Sequence, residues 1–109
     1  MTASGALREA IERCTELTDR MLSAAMAGDW QQVAELERLR RDCCGGIRLQ
    51  GLDADELDSA GERLRALVAM DRRLAGLVDE ARARSLVALR AARGQARASA
   101  AYQALSFGA

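Results

Sequence analysis

Ala27-Gly28-Asp29-Trp30 carries the chain's single tryptophan and joins two strongly helical stretches with no room for a loop. Gly28 can take the left-handed conformation that ends a helix, and Asp29 can accept a hydrogen bond from the amide of Gln32, which leaves Trp30 at the first helical position. So short a connection favours an antiparallel hairpin, in which the second helix folds back along the first. Upstream, Leu7, Ile11, Cys14, Leu17 or Thr18, Met21 and Ala25 recur at spacings of three and four, predicting a helix over 4–27 with one apolar face. Glu9 with Arg13 and Glu16 with Arg20 decorate its other face in the favourable order, each pair worth about 0.2 to 0.5 kcal/mol. Downstream, a helix over 30–44 carries two stripes. Trp30, Val33, Leu36 or Glu37, Arg40 and Cys43 form one, and Leu36, Leu39 and Cys43 form the other, giving an apolar face broad enough to touch two neighbours.

Gly45-Gly46 ends the second helix, and 45–52 reads as a loop that pins Ile47 and Leu49 against something. Asp53 with Glu56 forms a capping box that starts a third helix. From Leu57 the apolar series Leu57, Ala60, Leu64, Leu67, Val68, Leu74, Val78 and Ala81 continues to Leu86 and Leu89 without a proline. This predicts a helix over 53–93 of about forty residues, or roughly 60 Å at 1.5 Å per residue. A hairpin of helices of about 24 and 15 residues cannot cover such a helix, so its far end needs a second copy, the chain's own tail or a partner. Gly94 interrupts the pattern, and 94–109 offers Ala98, Ala101, Tyr102, Leu105 and Phe107, the composition of a weak, detachable fourth helix. Asp71 lies on the apolar seam of the third helix, where a carboxylate is expected to be satisfied by an arginine.

Composition agrees with this architecture. The 109 residues contain no proline, every basic residue is arginine, and alanine, leucine, arginine and glutamate dominate, while strand-favouring residues are scarce. One all-α domain is expected: an antiparallel helical hairpin packed on a long third helix, with a short C-terminal helix able to move. No apolar run is long enough to span a bilayer, and Met1-Thr2-Ala3-Ser4 lacks the basic then apolar layout of a secretory signal, so a cytoplasmic location is expected. Cys14, Cys43 and Cys44 cannot all pair within one chain, a bond between the adjacent two would be strained, and reduced thiols acting as small hydrophobes are the expectation.

The chemistry of catalysis is thin. There is no histidine, so the commonest general base and the commonest transition-metal ligand are both missing. Cys43-Cys44 lacks the spacing of a zinc knuckle, and no phosphate-binding or dinucleotide-binding glycine pattern follows a strand. No catalytic residue, metal ligand or cofactor is expected. Net charge is zero but unevenly placed: residues 1–71 hold 9 Arg against 14 Asp and Glu, and residues 72–109 hold 7 Arg against 2 acids. The basic end can lie against acidic groups of its own chain, stay solvated, or attract an acidic partner. Arg82, Arg84, Arg90, Arg93 and Arg97 spread around the helix instead of forming one stripe, so nucleic acid is not the expected partner.

Met26-Ala27-Gly28-Asp29-Trp30, followed by Leu36-Glu37-Arg38-Leu39-Arg40, resembles a flagellar export chaperone of the FliT type. The likeness continues through Leu67-Val68-Ala69-Met70-Asp71-Arg72-Arg73-Leu74 and through Leu89-Arg90-Ala91-Ala92-Arg93-Gly94 into Ala101-Tyr102. The resemblance implies a helical protein without enzymatic activity that binds the C-terminal part of the filament-cap protein and hands it to the type III export apparatus. It also implies, in some members, binding of the flagellar transcription regulator, with the export ATPase complex as a further partner, and a C-terminal helix that covers the binding surface until displaced. On this reading Leu36, Leu39, Leu64, Val68, Leu74 and Val78 line a groove between the second and third helices, with Tyr102 and Leu105 as its lid. Trp30 is assigned to structure. Two alternatives stay open: a structural homodimer pairing third helices along the uncovered stretch, and a nucleic-acid-associated protein using the basic end.

Overall fold

The computed structural model describes residues 3–107 as three helices, α1 (Ala3–Met26), α2 (Trp30–Cys44) and α3 (Ala54–Phe107), with no strand among the described residues. The chain divides into two compact units, Met1–Leu77 and Val78–Ala109.

In the first unit the hairpin forms as its turn residues dictate. Gly28 has φ +76°, the left-handed conformation that closes α1, and the Asp29 carboxylate accepts from the Gln32 amide at 3.2 Å. Asp29 N–H also donates to the carbonyl of Ala24 at 2.9 Å, so the end of α1 is capped before α2 begins. Trp30, half-buried, packs its ring against the core beside this turn. Asp53 and Glu56 close the capping box in both directions, at 2.8 and 3.3 Å. Gly51, at φ +80°, turns the chain into that cap.

Two apolar clusters hold this unit together. Leu17, Met21, Leu22 and Ala25 of α1 meet Val33 and Leu36 of α2 and Leu74 of α3, while Leu7 and Ile11 of α1 meet Ala60 of α3 under Ile47, Leu52 and Leu64. Early α1 therefore packs on early α3 and late α1 on Leu74, so α3 runs parallel to α1 and antiparallel to α2. Ile47 of the connecting segment is tucked against the second cluster as expected, whereas Leu49 is exposed and Leu52 takes the second anchoring position.

The second unit is a single helical stretch that reaches Phe107 as part of α3. The segment over 94–109 is helical as far as it is described, but it continues α3 where the sequence pattern places a separate element after a break at Gly94. The physical reason is that a glycine inside a helix costs about 1 kcal/mol without blocking it sterically, and the flanking Arg93, Gln95, Ala96 and Arg97 are strong helix formers. Residues 108 and 109 of that segment lie outside the described residues. No described helix is long and apolar enough to cross a membrane.

Candidate partner-binding face

The register of the hairpin follows from its turn. Counting outward from Asp29, the residues four positions away are Ala25 and Val33, and those seven away are Leu22 and Leu36; all four belong to one cluster. Eleven positions away stand Thr18 and Arg40, and fifteen away stand Cys14 and Cys44. Arg40 Nη1 donates to Thr18 Oγ1 at 3.3 Å, and the two cysteine sulfurs lie 3.3 Å apart. Each step of three or four residues returns both helices to the same face.

Arg40 is the polar tie of this unit. Besides Thr18, which is fully buried and itself donates to the carbonyl of Cys14 at 2.7 Å, the guanidinium contacts Asp71 Oδ1 of α3 at 2.6 Å. One side chain of α2 thereby holds α1 and α3 together. The expected arginine partner of Asp71 is present, though the carboxylate is 55 % exposed and lies at the wet edge of the seam. Desolvation is then small on the acid side, and the penalty of the pair falls on the largely buried Arg40. Glu12 and Arg63 make a second α1–α3 link at 3.7 Å, and Glu16 with Arg20 forms the expected surface pair at 3.5 Å.

Beside Arg40 and Asp71 runs a cleft of about 350 Å³ between α2 and α3, lined by Glu37, Arg41 and Cys44 on one side and Leu67 and Val68 on the other. Glu37 and Arg41 pair across one helical turn at 3.5 Å. The cleft has an apolar wall, supplied by Leu67 and the 48 % exposed Val68, and a charged wall with both signs of charge. Among the described residues no group of three or more His, Cys, Asp or Glu side chains is placed to hold a metal ion.

The six apolar residues expected to line one groove are not brought together. Leu36 and Leu74 are buried in the core at 3 % and 5 % exposure, so they support the face from beneath. Leu64 packs half-buried on the second cluster, and Leu39 is exposed but lies about 100° around α2 from Arg40, away from Glu37 and Arg41. Val68 alone of the six lines the cleft. In the second unit Val78 is half-buried, and Tyr102 and Leu105 are exposed, as are Leu86, Val87, Leu89 and Phe107. The residues missed, Glu37, Arg40, Arg41 and Cys44, recur at three, four and seven positions; their stripe was legible in the spacing and hidden by its polarity.

Cys14 is buried and its thiol is pushed up from 9.0 to about 12, first by burial, then by the contact with Cys44 and the nearby Cys44 and Cys43 sulfurs; Arg40 acts in the opposite direction. A thiol held neutral at that depth packs as a small apolar group, the role expected of it.

The family described as "Flagellar protein FliT" matches residues 8–104, which include the hairpin turn, the Arg40–Asp71 tie, the cleft and most of the second unit. This chain belongs to the FliT family. No curated protein and no solved structure matches it at a significant level. FliT-family membership implies a flagellum-associated export chaperone role, in a family of chaperones and regulators. It also gives the Leu36-Glu37-Arg38-Leu39-Arg40 stretch a physical meaning: its leucine enters the core and its final arginine ties three helices together.

Proposed function

We propose that this FliT-family protein is a cytoplasmic, non-enzymatic chaperone of type III flagellar export that binds the C-terminal region of the filament-cap protein. The observation that carries the reading is the family match over 8–104, nearly the whole chain. On this reading the client docks as an amphipathic helix at the α2/α3 cleft, with Val68 and Leu67 as apolar anchors and Glu37, Arg41 and the Arg40–Asp71 pair as a charged rim that fixes register. Leu36 and Leu74 support this face from the core, whereas Leu39, Leu64 and Val78 are left out of the docking contact. The export ATPase complex and the flagellar transcription regulator are further partners within the same proposal.

Tyr102 and Leu105 are assigned the lid, a role that requires α3 to open at Gly94. The test is a pull-down of a filament-cap C-terminal segment by the full chain and by a chain ending at Arg93. Capture by the full chain, equal or stronger with the truncated one, supports both assignments. No capture by either chain, with helical content intact by circular dichroism, defeats the client assignment. Capture lost only on truncation defeats the lid.

A further inference from the structure

Cys14 and Cys44 form a facing pair whose position follows from the hairpin register. They stand fifteen residues on either side of Asp29, one on α1 and one on α2, with Sγ atoms 3.3 Å apart. A disulfide needs about 2.05 Å, so closure asks the two sulfurs to approach by about 1.2 Å. The adjacent Cys43, whose sulfur is also near Cys14, is half-buried and packs on the core cluster of Leu36 and Leu74. The two facing thiols also differ in access. Cys44 is exposed and lines the cleft, whereas Cys14 is buried behind it.

We propose that Cys14 and Cys44 are a reversible redox site that closes into a disulfide on reaction with a small-molecule disulfide such as oxidised glutathione. The Cys44 thiolate attacks one glutathione sulfur, the S–S bond of glutathione breaks, and one glutathione thiolate leaves. The Cys14 sulfur then attacks Cys44 Sγ, the mixed disulfide breaks, and the departing second glutathione thiolate takes up the proton that Cys14 gives up. Two protein thiols are oxidised and one glutathione disulfide is reduced to two thiols. Burial of Cys14 makes Cys44 the entry point and Cys14 the resolving thiol. In a reducing compartment the bond is transient, so the site reports redox state and is no permanent staple. Its effect is to clamp α1 to α2 at the edge of the α2/α3 cleft.

The test is oxidation of the folded chain with oxidised glutathione, alkylation of remaining thiols, and intact-mass and peptide analysis. The expected result is one intramolecular disulfide, one alkylated cysteine per chain, and a thermal midpoint raised by roughly 10 °C, the scale for closing a loop of this length in a small domain. Trypsin releases Cys14 in the peptide 14–20 but leaves Cys43 and Cys44 together in 42–48, so variants decide the partner. Cys43→Ser is expected to keep the link, and Cys44→Ser and Cys14→Ser to lose it. An intramolecular link formed as fast in Cys44→Ser as in the parent chain, or a parent chain that yields only glutathione adducts or interchain dimers, would overturn the proposal.

Discussion

Arg40 joins all three helices of the first unit, because its guanidinium reaches a buried hydroxyl on α1 and a carboxylate on α3 at once. Removing it leaves Thr18 with its own donation to Cys14 but strips Asp71 of its partner. Arg40→Ala is expected to destabilise the protein by about 1 to 3 kcal/mol, through the lost tie and the lost packing of a side chain only 19 % exposed. Asp71→Ala should cost less, since that carboxylate is half in water. A double-mutant cycle followed by urea denaturation should give a coupling of about 1 kcal/mol, and additive losses would mean that Arg40 stabilises through Thr18 and packing alone. Part of this was legible in the sequence: a carboxylate on an apolar seam calls for a cation. Which cation was not, because sixteen arginines are available and only the packing of α3 on the hairpin brings Asp71 to Arg40.

At the scale of elements, turn chemistry was readable and helix continuity was not. Gly28-Asp29 and Asp53-Glu56 each name a backbone group to be capped, and each cap forms at the residue that the chemistry selects. Gly94 names nothing of the kind: it weakens a helix without ending it, and no capping residue or proline follows to enforce a stop. The two glycines should therefore respond oppositely to alanine. At Gly28, where φ is +76°, the substitution should lower stability by about 1 kcal/mol even though nothing lies within 4 Å of the added carbon. At Gly94, equally open but with helical backbone, it should strengthen the local helix by about 0.5 to 1 kcal/mol. Amide hydrogen exchange reads both: faster exchange near the hairpin turn in the first variant, slower exchange around residue 94 in the second. Faster exchange in Gly94→Ala would indicate that the glycine is needed where it stands.

For the whole molecule, the all-α class, the hairpin and the family were legible because each rests on local signals: helix formers, caps and short motifs. The site was less so, because a face that binds a partner is distinguished by what the core leaves uncovered, and apolar spacing alone does not separate the two. Leu36, Leu74 and Val68 all belong to apolar series of their helices, yet packing takes the first two into the core and leaves Val68 at a cleft with a charged rim. That distinction is the substance of the functional proposal, and Val68 is the residue on which to test it. Isothermal titration of a filament-cap C-terminal segment into the parent chain and into Val68→Asp, both checked by circular dichroism, is the most direct measurement. The account predicts at least about a tenfold loss of affinity, the cost of placing a charge in a desolvated apolar contact. Equal affinity in two equally folded proteins would contradict it.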